Sequence, residues 1–141
     1  MTTRTEADGG GTMTLRVVLP GIPPSVNHMY RRFTYQGRTM DVITRHAKAW
    51  MEQAAWAARQ AALESGWSLV PKGQKVVVKL WFWWPNRTRR DTHNALKALL
   101  DAWQGVLYED DYWVLPRVMD FGVDRDNPRI EAEVEVMEEA V

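Results

Sequence analysis

The chain of 141 residues contains no cysteine. That excludes a disulfide framework, a thiolate metal site and a cysteine nucleophile, and it fits a reducing compartment. Long apolar runs are missing too. The longest, Leu80 to Trp84, stops at Pro85, well short of the ~20 residues a membrane-spanning helix needs. The opening MTTRTEADGGGTM has no apolar core and does not read as a signal peptide. A cytoplasmic protein with no membrane partner is expected. Net charge is also absent, because 18 Lys and Arg balance 18 Asp and Glu. Taken as a whole, that balance argues against a nucleic-acid binder. The length predicts one domain.

The balance hides a split. Residues 1–90 hold 14 basic against 5 acidic side chains, an excess of 9 positive charges. Residues 91–141 hold 4 basic against 13 acidic, an excess of 9 negative. The sign changes between Arg90 and Asp91. Charge blocks are often plain solvated faces. The other reading is a basic surface for a polyanion, with carboxylates gathered for a separate purpose.

Residues 1–13 are polar and carry three consecutive glycines, so a disordered tail is expected there, with the domain spanning 14–141. Leu15 to Leu19 reads as a strand ended by Pro20. Tyr30 to Val42 reads as a basic hairpin turning at Gln36-Gly37. Thr44 is the expected N-cap of a helix over Arg45 to Ser65, with Gly66 as its C′ residue. Ala47, Met51, Ala54, Ala58 and Ala61 give that helix a narrow face of small residues for close packing on a sheet. Val76 to Trp84 alternates at period two with both faces apolar, so it is a central strand or lies in a dimer contact. A second helix runs from Thr92 to about Trp103. Trp113 to Val123 and Arg129 to Met137 are two more strands, the last with one wet face carrying Glu131, Glu133 and Glu135. The order β, hairpin, α, β, α, β, β predicts a single α/β (α+β) domain with a mixed four-stranded sheet, two packed helices and a basic hairpin.

The second helix carries the chemistry. Leu96, Leu99, Leu100 and Trp103 form its apolar stripe, while His93, Asn94, Lys97 and Asp101 share the opposite side. Asp91 precedes the helix, where a carboxylate gains from the dipole. Alone, Asp91 is an ordinary helix-start residue and Glu109-Asp110-Asp111 an ordinary polar loop. Together they admit another reading. The acids lead directly into a strand, and if its start lies beside the helix start, Asp91 and Asp111 converge on one hard cation. Mg²⁺ keeps several waters and is held by one or two carboxylates. Two cations about 3.5–4 Å apart activate phosphodiester hydrolysis. Lys97 would stabilise the transition-state phosphate. Arg87, Arg89 and Arg90 would grip flanking phosphates with guanidinium forks.

An ordered set of short motifs sharpens this: Pro23-Pro24-Ser25-Val26-Asn27 with Tyr30, then Arg90-Asp91-Thr92-His93-Asn94 with Lys97 and Asp101-Ala102, then Gly105 and Asp110-Asp111. In this order and spacing the chain resembles the RusA family of Holliday junction resolvases, found in bacteria, phages and prophages. The resemblance covers about residues 15–137. It implies a homodimeric, Mg²⁺-dependent endonuclease that resolves four-way DNA junctions by paired symmetric nicks. The family's essential acids fall on Asp91 and Asp111, with Asp110 matching the preceding acid, Lys97 the active-site lysine and Asn94 the motif asparagine. The family's type member has a third aspartate where this chain has His93. Histidine is a better ligand for Mn²⁺ than for Mg²⁺. Because aspartate holds this position in the type member, the resemblance implies an active-site place for His93, as a metal ligand, as the group that holds the attacking water or as one that orients a carboxylate; the alternative is a partly buried boundary residue.

Junction recognition would then rest on Arg31, Arg32 and Arg38 of the hairpin and on Arg87, Arg89 and Arg90, with Tyr30, Phe33 and Tyr35 interleaved to stack on unpaired bases or to pin the hairpin. Asn27 is a further candidate at the DNA interface, or a brace for the loop beside the active site. Trp81 and Trp83 share a face that would suit a subunit interface or a core. The competing readings are a nuclease acting on flaps or forks, a nucleoside triphosphate pyrophosphohydrolase, and a non-catalytic DNA-binding or structural phage protein. The pyrophosphohydrolase reading is disfavoured because the helices hold few Glu.

Overall fold

The computed structural model describes residues 4–7, 13–23, 30–88, 90 and 92–137. Its strands are β1 (Arg4–Ala7), β2 (Met13–Pro20), β3 (Tyr30–Tyr35), β4 (Arg38–Ile43), β5 (Val76–Trp84), β6 (Val114–Val123) and β7 (Arg129–Val136). Its helices are α1 (Arg45–Ser65) and α2 (Thr92–Trp103), with a short 3₁₀ turn over Asp111–Trp113.

The expected mixed sheet is present as β2-β7-β5-β6, with β1 added at the edge. Arg4–Ala7 lies within the stretch that composition assigns to a disordered tail; instead it pairs antiparallel with β2, Arg4 opposite Arg16. The edge of β2 offers unpaired backbone groups, and a polar segment can satisfy them without any apolar pattern of its own. β7 runs antiparallel to both β2 and β5. β5 and β6 are parallel, so the connection between them must cross over, and α2 makes that crossing.

Local chemistry explains the elements. The Thr44 hydroxyl caps α1 by accepting from the Ala47 backbone N–H at 3.2 Å. Gly66 closes α1 in the left-handed region, with φ 75°. Gln36 and Gly37 both have positive φ, 50° and 77°, as a two-residue hairpin turn of type I′ requires. The hairpin forms its own two-stranded sheet, and residues 31–43 are exposed throughout.

Both helices cover one face of the five-stranded sheet. Ala47, Trp50, Ala54, Ala57, Ala58 and Ala61 are the buried residues of α1, and Met51 packs against the core from its margin. α2 buries Ala95, Ala98, Leu99 and Trp103, while Leu96 and Leu100 are only partly buried. The buried stripe is therefore turned from the expected leucine line toward the alanines. The reason is contact with α1: small residues let the two helices approach closely, and the Trp103 indole, fully buried, donates to the Ala54 backbone carbonyl at 2.9 Å.

The opposite face differs from a plain wet strand. Glu131 is half-buried, accepting from Arg16 at 3.0 Å and from the Trp83 indole at 2.9 Å. Arg129 stacks over the Trp83 ring, 5.4 Å from its centroid, and bonds Asp124 at 2.7 Å. Trp83 thus belongs to a fixed cluster, and β5 is an interior strand between β7 and β6. Arg16, from the basic first part of the chain, pairs with Glu131 of the acidic second part within this sheet.

Two outcomes follow from this cluster. A Cβ built on Gly122 would meet the Trp83 ring at 2.7 Å, and the ring is held on two sides. Gly122→Ala should cost about 1–3 kcal/mol of overpacking, read as a lowered urea midpoint with an unchanged slope. Burial pushes the Glu131 carboxyl up, but the hydrogen bonds from Trp83 and Arg16 and the charges of Arg129 and Arg16 outweigh it, and the net shift is downward from 4.5. A depressed folded-state value means stability that is present above the unfolded value and lost as pH falls through the folded one. Unfolding midpoints should therefore drop below about pH 4.5, and more steeply in wild type than in Glu131→Gln.

Candidate active site

On α2, residues four apart stack along one line. His93, Lys97 and Asp101 occupy such a line, and all three are exposed, opposite the buried stripe. Asn94 lies in the first turn of the same helix. Its side chain, like that of Tyr30 at the start of β3, is outside the described set. Asn27, Arg89 and Asp91, together with Pro24 to Val26 of the first motif, also lie outside the described residues.

The segment that carries Asp110 and Asp111 is anchored at several points. Gly105 donates its backbone N–H to the Tyr108 carbonyl at 2.7 Å. The loop is tied to residues 67–70 by Val70 N–H to the Leu107 carbonyl (3.1 Å), Glu109 N–H to the Val70 carbonyl (2.9 Å) and the Trp67 indole to the Leu107 carbonyl (3.1 Å). Tyr108 is buried and its hydroxyl donates to the Leu100 carbonyl at 2.7 Å. Burial, then the charges of Asp111 and Asp101, push the Tyr108 hydroxyl well above its ordinary range, so it stays a donor. Asp110 caps the 3₁₀ turn by accepting from the Tyr112 N–H at 3.0 Å, and the Asp111 N–H donates to the Gln104 side chain at 2.9 Å.

This scaffold brings Asp111 to Asp101. Partial burial, the Asp111 carboxyl with which a proton can be shared, and the Asp111 charge raise the Asp101 carboxyl above its usual range, while Lys97, one turn back on α2, pulls it down. Two carboxylates with a lysine beside them form a hard-oxygen donor pair that a divalent cation would relieve of its mutual repulsion. They fit Mg²⁺, which one or two carboxylates and retained waters suffice to hold. Among the described residues no group of three or more acids or histidines is placed to hold a metal.

The expectation that the strand start lies beside the helix start is not met. Because β5 and β6 are parallel, α2 runs back against both, and the start of β6 meets the end of α2. Thr92, which follows Asp91 in the chain, stands about 13–14 Å along the helix axis from Asp101, at ~1.5 Å per residue. Asp111 therefore joins Asp101 and Lys97 rather than the N-terminal end of α2. Asp101 was legible as a polar residue on the Lys97 side of the helix, but nothing in the spacing showed that Asp111 would meet it. Tyr112 was also missed: it is 79% exposed beside Asp111, set edge-on to Trp113 with ring centroids 5.2 Å apart.

At the other end of α2, Arg90 stacks over the Trp84 ring at 5.1 Å. Arg87 is exposed in the β5–α2 loop, whose turn is held by Asn86 accepting from the Thr88 N–H at 3.0 Å. Arg31, Arg32 and Arg38 all lie on the exposed hairpin, where Arg32 faces Asp41 at 3.6 Å. Phe33 and Tyr35 stack on each other at 6.5 Å and 15° on one hairpin face. They are exposed rather than packed onto the domain.

Among the described residues no helix is long and apolar enough to cross a membrane. Comparison with curated proteins finds no match. A family model described as endodeoxyribonuclease RusA matches residues 20–135, which takes in β3 to β6, both helices and most of β7, and begins at Pro20, the last residue of β2. Fold, motif order and this match agree: the chain belongs to the RusA family of endodeoxyribonucleases, Mg²⁺-dependent enzymes that resolve Holliday junctions and act on branched DNA as dimers.

Proposed function

We propose that this protein cuts four-way DNA junctions by paired symmetric nicks, as a homodimer whose metal sites draw on Asp91, Asp111, Asp110 and His93. The observation that carries the reading is the Asp101–Asp111 carboxyl pair with Lys97 one turn away on an exposed helix line. A bound Mg²⁺ or Mn²⁺ would polarise the phosphodiester and lower the pKa of the attacking water. The protein's own groups do the rest. Lys97 offsets charge that develops on the phosphate. Asp101, beside Asp111, supplies a second carboxyl at that end of α2, and a bound cation would favour its ionised form. Asn94 and His93, at the other end, hold the attacking water or bind metal.

The length of α2 separates Asp111 from the N-terminal end of its own helix. A two-fold dimer removes that separation if the Asp111 end of one protomer meets the α2 N-terminal end of its partner. A C2 arrangement also gives two equivalent sites, as paired nicking requires. The hairpins supply the grip. Arg31, Arg32 and Arg38 neutralise phosphates, and the exposed Phe33–Tyr35 stack sits against unpaired bases at the crossover. Arg87, Arg89, Arg90, Tyr30 and Asn27 complete the interface.

A synthetic four-way junction, with duplex, flap and fork controls, tests this directly. Asp91→Asn and Asp111→Asn should each lower junction cleavage by at least about 100-fold, in line with losing a metal ligand or its immediate support, while junction binding persists. Mixing the two inactive variants should restore one working site per heterodimer and yield single nicks. Unimpaired cutting by either variant would refute the mechanism, and no recovery on mixing would refute the shared site. Separately, Arg31→Ala, Arg32→Ala and Arg38→Ala combined remove six phosphate contacts from the dimer and should reduce the salt dependence of junction binding by a log–log slope of about 5, close to one per phosphate contact. Titration of affinity against KCl measures it.

A further inference from the structure

A cavity of about 410 Å³ opens at the C-terminal ends of β5 and β6, beside the start of α2. Pockets of ~300–1,000 Å³ are those that hold small ligands. Its walls stand on regular elements: Trp84 ends β5, Phe121 and Val123 end β6, and the Asp124 N–H donates to the Trp84 carbonyl at 2.8 Å, tying the two strand ends together. Arg87, Arg90 and Thr92 close the other side, and among the described residues no carboxylate lines it.

Three features specify what it takes. Arg90 lies over the Trp84 ring, and its Nη1 is buried with no hydrogen-bond acceptor among the described residues. A buried guanidinium donor left unpaired is costly, and a phosphate oxygen is the acceptor its fork geometry fits. Phe121, on the rim, leaves 65% of its surface exposed, a large aromatic face with nothing against it. The hydroxyls of Thr88 and Thr92 and the exposed Arg87 add further donors. Cationic donors, hydroxyls and an open aromatic face in one concavity suit a ligand with both a planar ring and a phosphate.

We infer that this cavity holds one unpaired nucleotide of a DNA strand, its base against Phe121 and its phosphate on Arg90 and Arg87. The inference rests on the DNA-cleaving function proposed above and adds a subsite to it. The cavity borders the N-terminal end of α2, so a nucleotide seated there is drawn out of its stack beside the scissile phosphate. Branched DNA supplies such a nucleotide more readily than intact duplex, because an unpaired base need not be unstacked at full cost. The cavity thereby contributes to selecting the branch point.

The test uses the full chain in EDTA with a single-stranded oligonucleotide carrying 2-aminopurine. Wild type should bind it and quench its fluorescence by ring stacking. Phe121→Ala should weaken binding about tenfold or more, the order that stacking one base on an aromatic ring contributes. Phe121→Trp should restore both binding and quenching, and duplex affinity should stay within about twofold throughout, since backbone charge dominates it. The inference is overturned if Phe121→Ala binds the probe as wild type does, or loses duplex affinity equally. It is also overturned if a free deoxynucleoside monophosphate competes as well as the oligonucleotide, which would make the cavity a small-molecule site. The two readings fail separately. Wild type that cuts junctions while Phe121→Ala keeps full probe affinity removes the subsite alone. Wild type that holds the probe through Phe121 yet cuts no branched DNA supports the subsite and removes the endonuclease reading.

Discussion

Parallel pairing of β5 with β6 governs where the functional groups of α2 and its flanking loops end up. Two parallel neighbours cannot be joined by a tight turn, so the chain must travel back along the sheet before β6 can begin. α2 makes that return, and its two ends are held at opposite ends of the strands. The arginine-rich loop and the cavity sit where β5 stops, and the Asp101–Asp111 pair sits where β6 starts. His93 and Lys97 lie on the helix line between them.

The fixed position of α2 depends on the alanine face of α1. With Ala54 at the contact, the α1 backbone is open to the Trp103 indole, and the hydrogen bond joins the two helices inside the core. From Trp103 the chain passes into a loop whose backbone groups are satisfied by residues 67–70 and by itself, so Asp111 is presented from a braced segment. The hairpin is built on the opposite principle. It has no buried residue between 31 and 43, and its aromatic and arginine side chains are available to a large polyanionic partner. A rigid centre and an open arm suit an enzyme that must place a few carboxylates closely while accommodating a branched substrate.

The elements were legible from local chemistry. Thr44, Gly66 and the Gln36-Gly37 turn each act within a few residues, and period-two alternation marks β5 without reference to any partner. β1 was not legible, because its pairing depends on the free edge of β2 and its own residues carry no apolar pattern. Nor was the stripe on α2: an alanine at 95 or 98 looks indifferent until the closeness of α1 makes small size the useful property. Within the candidate site, Asp111, Lys97 and Asp101 were read from motif spacing, whereas the meeting of Asp101 with Asp111 and the place of Phe121 depended on neighbours distant in sequence.

What the residue order determined by itself is the type and approximate extent of the elements from β2 to β7, the family motifs and the chemistry those motifs carry. Each of these rests on backbone preference, capping or side-chain periodicity over a short span. Strand direction rests on none of them. The residues of Val114–Val123 read the same whether the strand runs with β5 or against it, yet the choice decides which end of α2 receives Asp111. Only the assembled sheet made that choice, through hydrogen-bond partners supplied by β5 and a helix bound to cross back over the face that α1 also covers.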